Sequence, residues 1–245
     1  MKAPSPLTFW AQLVALSPIV LAQGAYLKRK APRMAPVLDN ADRGEEQGSD
    51  TAAPLELVVV GESTAVGVGC QHRDEGMPVQ LARAISRQRR VDVQWQVIGG
   101  NGLRARDIER LLQSQSDAPQ TERKLAVVLL GVNDVVGLTS VKAWRESLIA
   151  IRQQLRRRGA KVVCLAPVPP MDGFTLLPQP LRRLLGLRAR MLDAARHDVA
   201  RVYPDVVAAE TEFPLDATLL AQDGYHPGPA ACAWWAEALA KQVNS

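Results

Sequence analysis

Three histidines occur in the chain, His72, His197 and His226, and their neighbours separate them as candidates for proton transfer. His226 closes the run Asp223-Gly224-Tyr225-His226-Pro227. A carboxylate three residues before an imidazole can meet it within one turn, and Gly224 and Pro227 favour a fixed bend over a continuing helix. A serine hydroxyl is a poor nucleophile until a base takes its proton, and that base needs an acceptor to orient its ring. Ser63, in Gly61-Glu62-Ser63-Thr64-Ala65, can supply the hydroxyl, His226 the base and Asp223 the acceptor. His72 lies nine residues beyond Ser63 in the same connection, and His197 falls in an Arg-rich helical pattern where a surface role is the simpler reading.

Acyl transfer also needs donors aimed at the oxygen that becomes negative in the tetrahedral intermediate. The side-chain amide of Asn133 and the backbone amides of Gly102 and Ser63 are the natural set, with Gly102 letting the backbone come close. Each has a structural alternative. Gly99, Gly100 and Gly102 can simply make a tight turn, and Asn133-Asp134 can be a helix-side turn, with Asp134 holding neighbouring backbone in either case.

Other chemistries fail on the residues. Ser63 is not in G-x-S-x-G, because position 65 is Ala. Neither Gly61 to Gly69 nor Gly99 to Gly102 makes a dinucleotide fingerprint, and no Walker sequence occurs. Three scattered histidines and Cys70, Cys164 and Cys232 supply no metal-ligand spacing, and the cysteines are too few for a disulfide framework. Thirty Lys+Arg against 25 Asp+Glu leave a net charge of +5, spread along the chain rather than gathered in a nucleic-acid-binding arm. The Arg clusters at 87–90 and 156–158 each end a helical pattern, where cations favour the local dipole, and read as solvated faces.

Positioning such groups requires a scaffold, and 245 residues that are 47% hydrophobic suit one α/β domain with a sizeable core. Apolar, β-branched runs at 55–60, 93–98, 125–130 and 161–166 read as buried strands. Helical patterns lie between and after them at 79–88, 105–115, 141–158, 181–200 and 229–243. In 141–158 the apolar residues Trp144, Leu148, Ile151 and Leu155 form one stripe, and Gly159 can end the helix in a left-handed conformation. Strand and helix in alternation predict a mostly parallel sheet with helices on both faces, and such sheets bind ligands at the carboxyl ends of their strands. Ser63, Gly102 and Asn133 each follow a predicted strand, and His226 precedes the last helix.

Ahead of this domain, residues 1–35 form an apolar arm and 36–54 a linker, with the domain itself over 55–245. Residues 39–54 are rich in Asp, Glu, Gly, Ser and Ala and read as an exposed lead-in, so the compact part should begin near Leu55. Leu7 to Leu27 is a stretch of 21 uncharged residues, long enough to cross a bilayer but interrupted by Pro18 and by polar residues. It favours membrane association, as a span or as a Pro-interrupted helix at the surface, against a soluble arm packed on the domain or a cleaved signal ending near Ala22-Gln23-Gly24. Only Lys2 precedes the stretch, whereas Lys28, Arg29, Lys30 and Arg33 follow it, an order that keeps the domain in the cytoplasm or on the cytoplasmic face of the membrane.

Together these residues resemble the signature blocks of the SGNH, or GDSL-type, hydrolase family. Gly61-Glu62-Ser63 is similar to the first block, Gly131-Val132-Asn133-Asp134 to the third and Asp223-Gly224-Tyr225-His226 to the fifth; Gly102 fits the single-glycine second block best. The resemblance covers roughly 55–243 and implies a flavodoxin-like three-layer α/β/α sandwich with a mostly parallel five-stranded sheet. It implies Ser63 as nucleophile, His226 as base, Asp223 as its partner, and Ser63, Gly102 and Asn133 as the oxyanion hole, with no cofactor. The implied activity is hydrolysis of carboxylic esters through an acyl-enzyme, on short-chain or aryl esters. Lysophospholipase, thioesterase and carbohydrate O-deacetylase activities are alternatives on the same scaffold, as are a non-catalytic acyl-ligand binding module and a membrane-tethered scaffold. Glu62 stands where the family pattern has Asp, which predicts an altered loop beside the nucleophile with activity retained. The segment Pro167 to Leu187 also resembles that of a bacterial subgroup of these esterases; its Met171, Phe174 and Leu176 either line an acyl pocket or pack in the core.

Overall fold

A computed structural model describes residues 6–30, 32–49, 52–115 and 123–243. Parts of the predicted arm, lead-in and domain, residues 1–5, 31, 50–51, 116–122 and 244–245, lie outside these. Helix α1 (Pro6–Lys30) comes first, followed by strands β1 (Arg43–Glu46) and β2 (Leu55–Gly61), helix α2 (Met77–Arg89), β3 (Val93–Gly99) and α3 (Ala105–Ser114). Next come β4 (Lys124–Leu129), the short α4 (Val132–Val136), α5 (Val141–Arg157), β5 (Ala160–Leu165), α6 (Leu181–Val202), β6 (Val206–Ala208) and α7 (Pro229–Gln242).

The strands form one six-stranded sheet in the order β1-β3-β2-β4-β5-β6, parallel except for β1, which runs antiparallel along β3. The expected five-stranded sheet is therefore corrected to six strands of mixed direction, flanked by helices. The extra strand comes from the lead-in: Arg43 to Glu46 pair with Gln96 to Val93. Upstream, Leu38 is buried in the main core and its amide, with that of Val37, donates to the Val66 carbonyl. Polar residues suit β1 because it is an edge, half open to solvent.

Interior strands follow the sequence closely. β2 buries six of its seven residues, as a parallel strand covered on both faces must. α5 sets Trp144, Leu148, Ile151 and Leu155 wholly into the core, its cap Ser140 accepts from the Ala143 amide at 3.1 Å, and Gly159 beyond it has φ 91°. α1 is continuous through Pro18. A proline there removes the amide that would bond the Val14 carbonyl, and the Ser17 hydroxyl donates to that carbonyl instead, at 2.8 Å.

Strand order reverses at β2, whose parallel neighbours β3 and β4 come later in sequence and lie on opposite sides of it. A crevice opens at the carboxyl ends of strands at such a point. The ends are drawn unusually close. A Cβ on Gly61 would stand 2.2 Å from the Leu129 carbonyl oxygen, and one on Gly99 would stand 2.2 Å from that of Gly61, so both positions require glycine. The loops after β3, β2 and β4 thus issue side by side, carrying Gly102, Ser63 and Asn133.

Candidate active site

Ser63 begins the loop after β2. It is almost buried, and its carbonyl accepts the Val68 amide at 3.0 Å, folding the loop back toward α2. The loop then runs against the turn that carries the histidine. A Cβ on Gly69 would lie 3.0 Å from the Cβ of His226 and 2.5 Å from the Pro227 carbonyl oxygen. Just beyond, Cys70 and Cys232 hold their sulfurs 3.8 Å apart, joining the end of the serine loop to the first turn of α7; these and Cys164 are free, buried thiols.

Within Asp223–Pro227 the expected pairing is present. His226 Nδ1 lies 2.6 Å from Asp223 Oδ2, while Asp223 Oδ1 accepts the backbone amides of Tyr225 at 2.9 Å and His226 at 3.0 Å. Gly224 turns the chain with φ 68°. Burial pushes the Asp223 carboxyl up, but hydrogen bonds from the His226 ring and the two amides outweigh it, leaving its pKa below the ordinary aspartate value. A charged acceptor at Nδ1 holds the ring so that Nε2 is the nitrogen left for proton transfer.

Asn133 stands in the first turn of α4, directly after β4. Its Nδ2 donates one bond to the Leu103 carbonyl at 3.2 Å, which ties the loop after β3 to the loop after β4 and leaves the second amide hydrogen for a ligand. Asp134 accepts the Ala105 amide at 2.9 Å, the backbone-holding role expected of it.

Glu62 makes contacts that local sequence could not foretell. It is 4% exposed; Oε1 accepts the Val132 amide at 2.9 Å and Oε2 the Asn133 amide at 3.0 Å. Both donors are among the orphan amides that open α4, so the carboxylate before the nucleophile fixes the backbone from which Asn133 projects. Burial raises its pKa to about 7, against the opposing pull of the amides, and the Asp134 charge adds to the rise.

Ser63, Asn133, Asp223 and His226 line a single cavity of about 670 Å³. Of the predicted pocket residues, Met171 and Phe174 line it as well. Leu176 does not: it is 58% exposed and lies over the turn at Gly224, 2.1 Å from where a Cβ would be, and its buried neighbour Leu177 lines the cavity instead. Nor is Gly102 a lining residue; its neighbour Asn101 is, and Gly102, at φ 80°, sits in the open turn beside it. The largest omission is α1, whose Phe9, Leu13, Val20 and Gly24 form part of the wall. Among the described residues, no group of three or more His, Cys, Asp or Glu side chains is placed to hold a metal ion.

Known proteins share this fold. The model of the GDSL-like Lipase/Acylhydrolase family matches residues 59–234. The GDSL-like esterase Rv1075c of Mycobacterium tuberculosis (strain ATCC 25618 / H37Rv) is 28% identical over 198 residues, 76% of this chain and 60% of that relative, so the chain spans three fifths of its length. Among solved structures, the lipase/acylhydrolase from Enterococcus faecalis matches with TM-score 0.58 at 17% identity, over 77% of this chain and 95% of the other. The acetylxylan esterase Axe2 from Geobacillus stearothermophilus matches with TM-score 0.56 at 15% identity, over 78% and 94%. These structural likenesses establish a shared fold, and the family model covers the loops that carry Ser63, Asn133 and Asp223–His226. The chain belongs to the GDSL-like lipase/acylhydrolase family.

Proposed function

We propose that the chain is a serine-dependent hydrolase of carboxylic esters that works through an acyl-enzyme. The observation that carries this reading is the convergence on one cavity of Ser63, Asn133 and His226, with Asp223 2.6 Å from the far side of the imidazole. Ser63 Oγ attacks the ester carbonyl while His226 Nε2 takes its proton, and the Asp223 carboxylate stabilises the imidazolium. Charge gathering on the carbonyl oxygen is met by the free amide hydrogen of Asn133 and by the backbone amide of Ser63. His226 then protonates the departing alcohol, and its neutral form draws a proton from water to release the acid and restore Ser63. No cofactor enters. The test is turnover of p-nitrophenyl esters by Ser63→Ala, whose kcat should fall on the order of a millionfold in a protein that still unfolds cooperatively. A variant as active as the parent overturns the assignment.

We further propose that the protein associates with the cytoplasmic face of a membrane through α1. α1 is held to the domain on one side, where Phe9 and Val20 are buried with Leu184 and Met191 of α6. On its outer side Leu7 (82% exposed), Trp10, Val14, Ile19 and Tyr26 face solvent, and the helix ends in Lys28, Arg29 and Lys30. An apolar face with a cationic end suits a helix lying in the plane of an anionic bilayer surface. Co-sedimentation with anionic vesicles should be strong for the full chain and lost in a variant with Trp10 and Val14 changed to Ser. Equal sedimentation of both proteins counts against membrane attachment by this face.

A further inference from the structure

The catalytic cavity extends well past the serine. It is one continuous space whose far wall is α1, contributed by Phe9, Leu13, Val20 and Gly24, with Met171 and Phe174 beside them. About 670 Å³ lies within the range of sites that enclose a whole small ligand, and far exceeds what an acetyl group fills. The wall is fixed rather than loosely draped: Gln23 Nε2 donates to the Gln179 carbonyl at 2.6 Å, and Gln23 Oε1 accepts the Leu181 amide at 3.2 Å. Of the α1 residues that line the space, those from Phe9 to Leu27 carry no charge, and Lys28 at the end of the helix is the one that does. A sugar alcohol buried there would lose its water without gaining partners, whereas an unbranched hydrocarbon chain gains with every methylene covered.

We infer that the substrate is an ester of a medium- or long-chain unbranched fatty acid, that its acyl chain lies between α1 and residues 171–174, and that α1 sets the length accepted. This rests on the proposed hydrolase reading and departs from the short-chain or aryl esters that the sequence suggested. Each methylene buried is worth about a fourfold gain in binding, so kcat/KM should climb with chain length until the space is full.

Gly24 offers the sharpest probe, since a Cβ there meets nothing within 4 Å although the residue lines the cavity. Replacing a glycine inside a helix also favours the helix, so the fold is not at risk from the backbone. The readout is the ratio of kcat/KM for p-nitrophenyl decanoate to that for the acetate. In the parent the ratio should exceed about ten, and Gly24→Trp should lower it at least tenfold. Ala15→Trp, which adds the same bulk on the exposed side of α1 away from the cavity, should leave the ratio where it was. Calorimetry with free decanoate gives a second reading that needs no turnover: the parent binds, and Gly24→Trp binds at least tenfold more weakly. A parent ratio at or below one, decanoate binding unaffected by Gly24→Trp, or an equal effect from Ala15→Trp overturns the inference. Decanoate binding by a parent that hydrolyses no ester, weakened at least tenfold by Gly24→Trp, would uphold the acyl site and sink the hydrolase reading instead.

Discussion

Glu62→Gln isolates the cost of keeping a carboxyl buried beside the nucleophile. In the unfolded chain this group ionises near its ordinary value of 4.5, whereas in the folded protein it does so only at about 7. Between those values the folded state keeps a proton that the unfolded state has released. Stability that is fully present below pH 4.5 therefore declines as pH rises and is lost once pH passes about 7. At 1.36 kcal/mol for each tenfold change in proton affinity, the rise from 4.5 to about 7 amounts to about 3 kcal/mol. Glutamine carries no proton to lose, so the variant lacks this slope. It also loses one acceptor: its oxygen can serve either the Val132 or the Asn133 amide, and its NH₂ faces the other, a constant penalty of about 1–3 kcal/mol. The assay is urea unfolding of parent and variant side by side from pH 4.5 to about pH 8, reading the difference between them so that all other titrating groups cancel. The parent's advantage should shrink by about 3 kcal/mol across that window. A difference that stays constant to within about 0.5 kcal/mol would refute the reasoning, because Glu62 would then ionise alike in both states.

Asn133→Ala removes a single oxyanion donor and should cost about 3 kcal/mol of transition-state stabilisation, read as a fall of about a hundredfold in kcat/KM. A loss under twofold would place Asn133 outside the reaction. Asp223→Asn keeps the shape of the turn but exchanges the acceptor at His226 Nδ1 for a neutral amide; kcat should drop on the order of 10⁴-fold with little change in KM. A loss below tenfold would mean that His226 needs no charged partner. Gly61→Ala forces a methyl to within 2.2 Å of the Leu129 carbonyl oxygen, and because backbone cannot yield as a side chain can, it should destabilise the fold by about 3 kcal/mol or more in denaturant unfolding. A stability equal to the parent's would show that the strand ends can spread.

How much of this could be read from sequence varies with the physics behind each part. β2 to β5 announced themselves because interior parallel strands bury most of both faces and so appear as mainly apolar runs, although β3 alternates Val93, Trp95 and Val97 with Gln94 and Gln96. β1 did not: Arg43-Gly44-Glu45-Glu46 is an edge strand, held by backbone pairing with β3 rather than by burial of its side chains. β6, three residues long, is too short for any period to show. The serine, the asparagine and the Asp-x-x-His turn stood out because each lies at a glycine-marked strand end or bend, and the pairing of Asp223 with His226 is local. Glu62 was legible as a departure from a motif but not as a support for Asn133, since its partners lie 70 and 71 residues away. The uncharged stretch in α1 reads the same whether it covers lipid or a cavity. Only its docking on α6 through Phe9, Val20 and Gln23 reveals that one side of it covers the cavity.

Ser63 as the nucleophile is tested most directly by treating the folded protein with a fluorophosphonate and locating the adduct by peptide mass spectrometry. The account predicts stoichiometric phosphonylation of Ser63, abolished in Ser63→Ala and slowed at least about a hundredfold in His226→Ala, because the hydroxyl is inert without its base. An adduct on another residue, or no adduct on a protein that still cleaves esters, would contradict it.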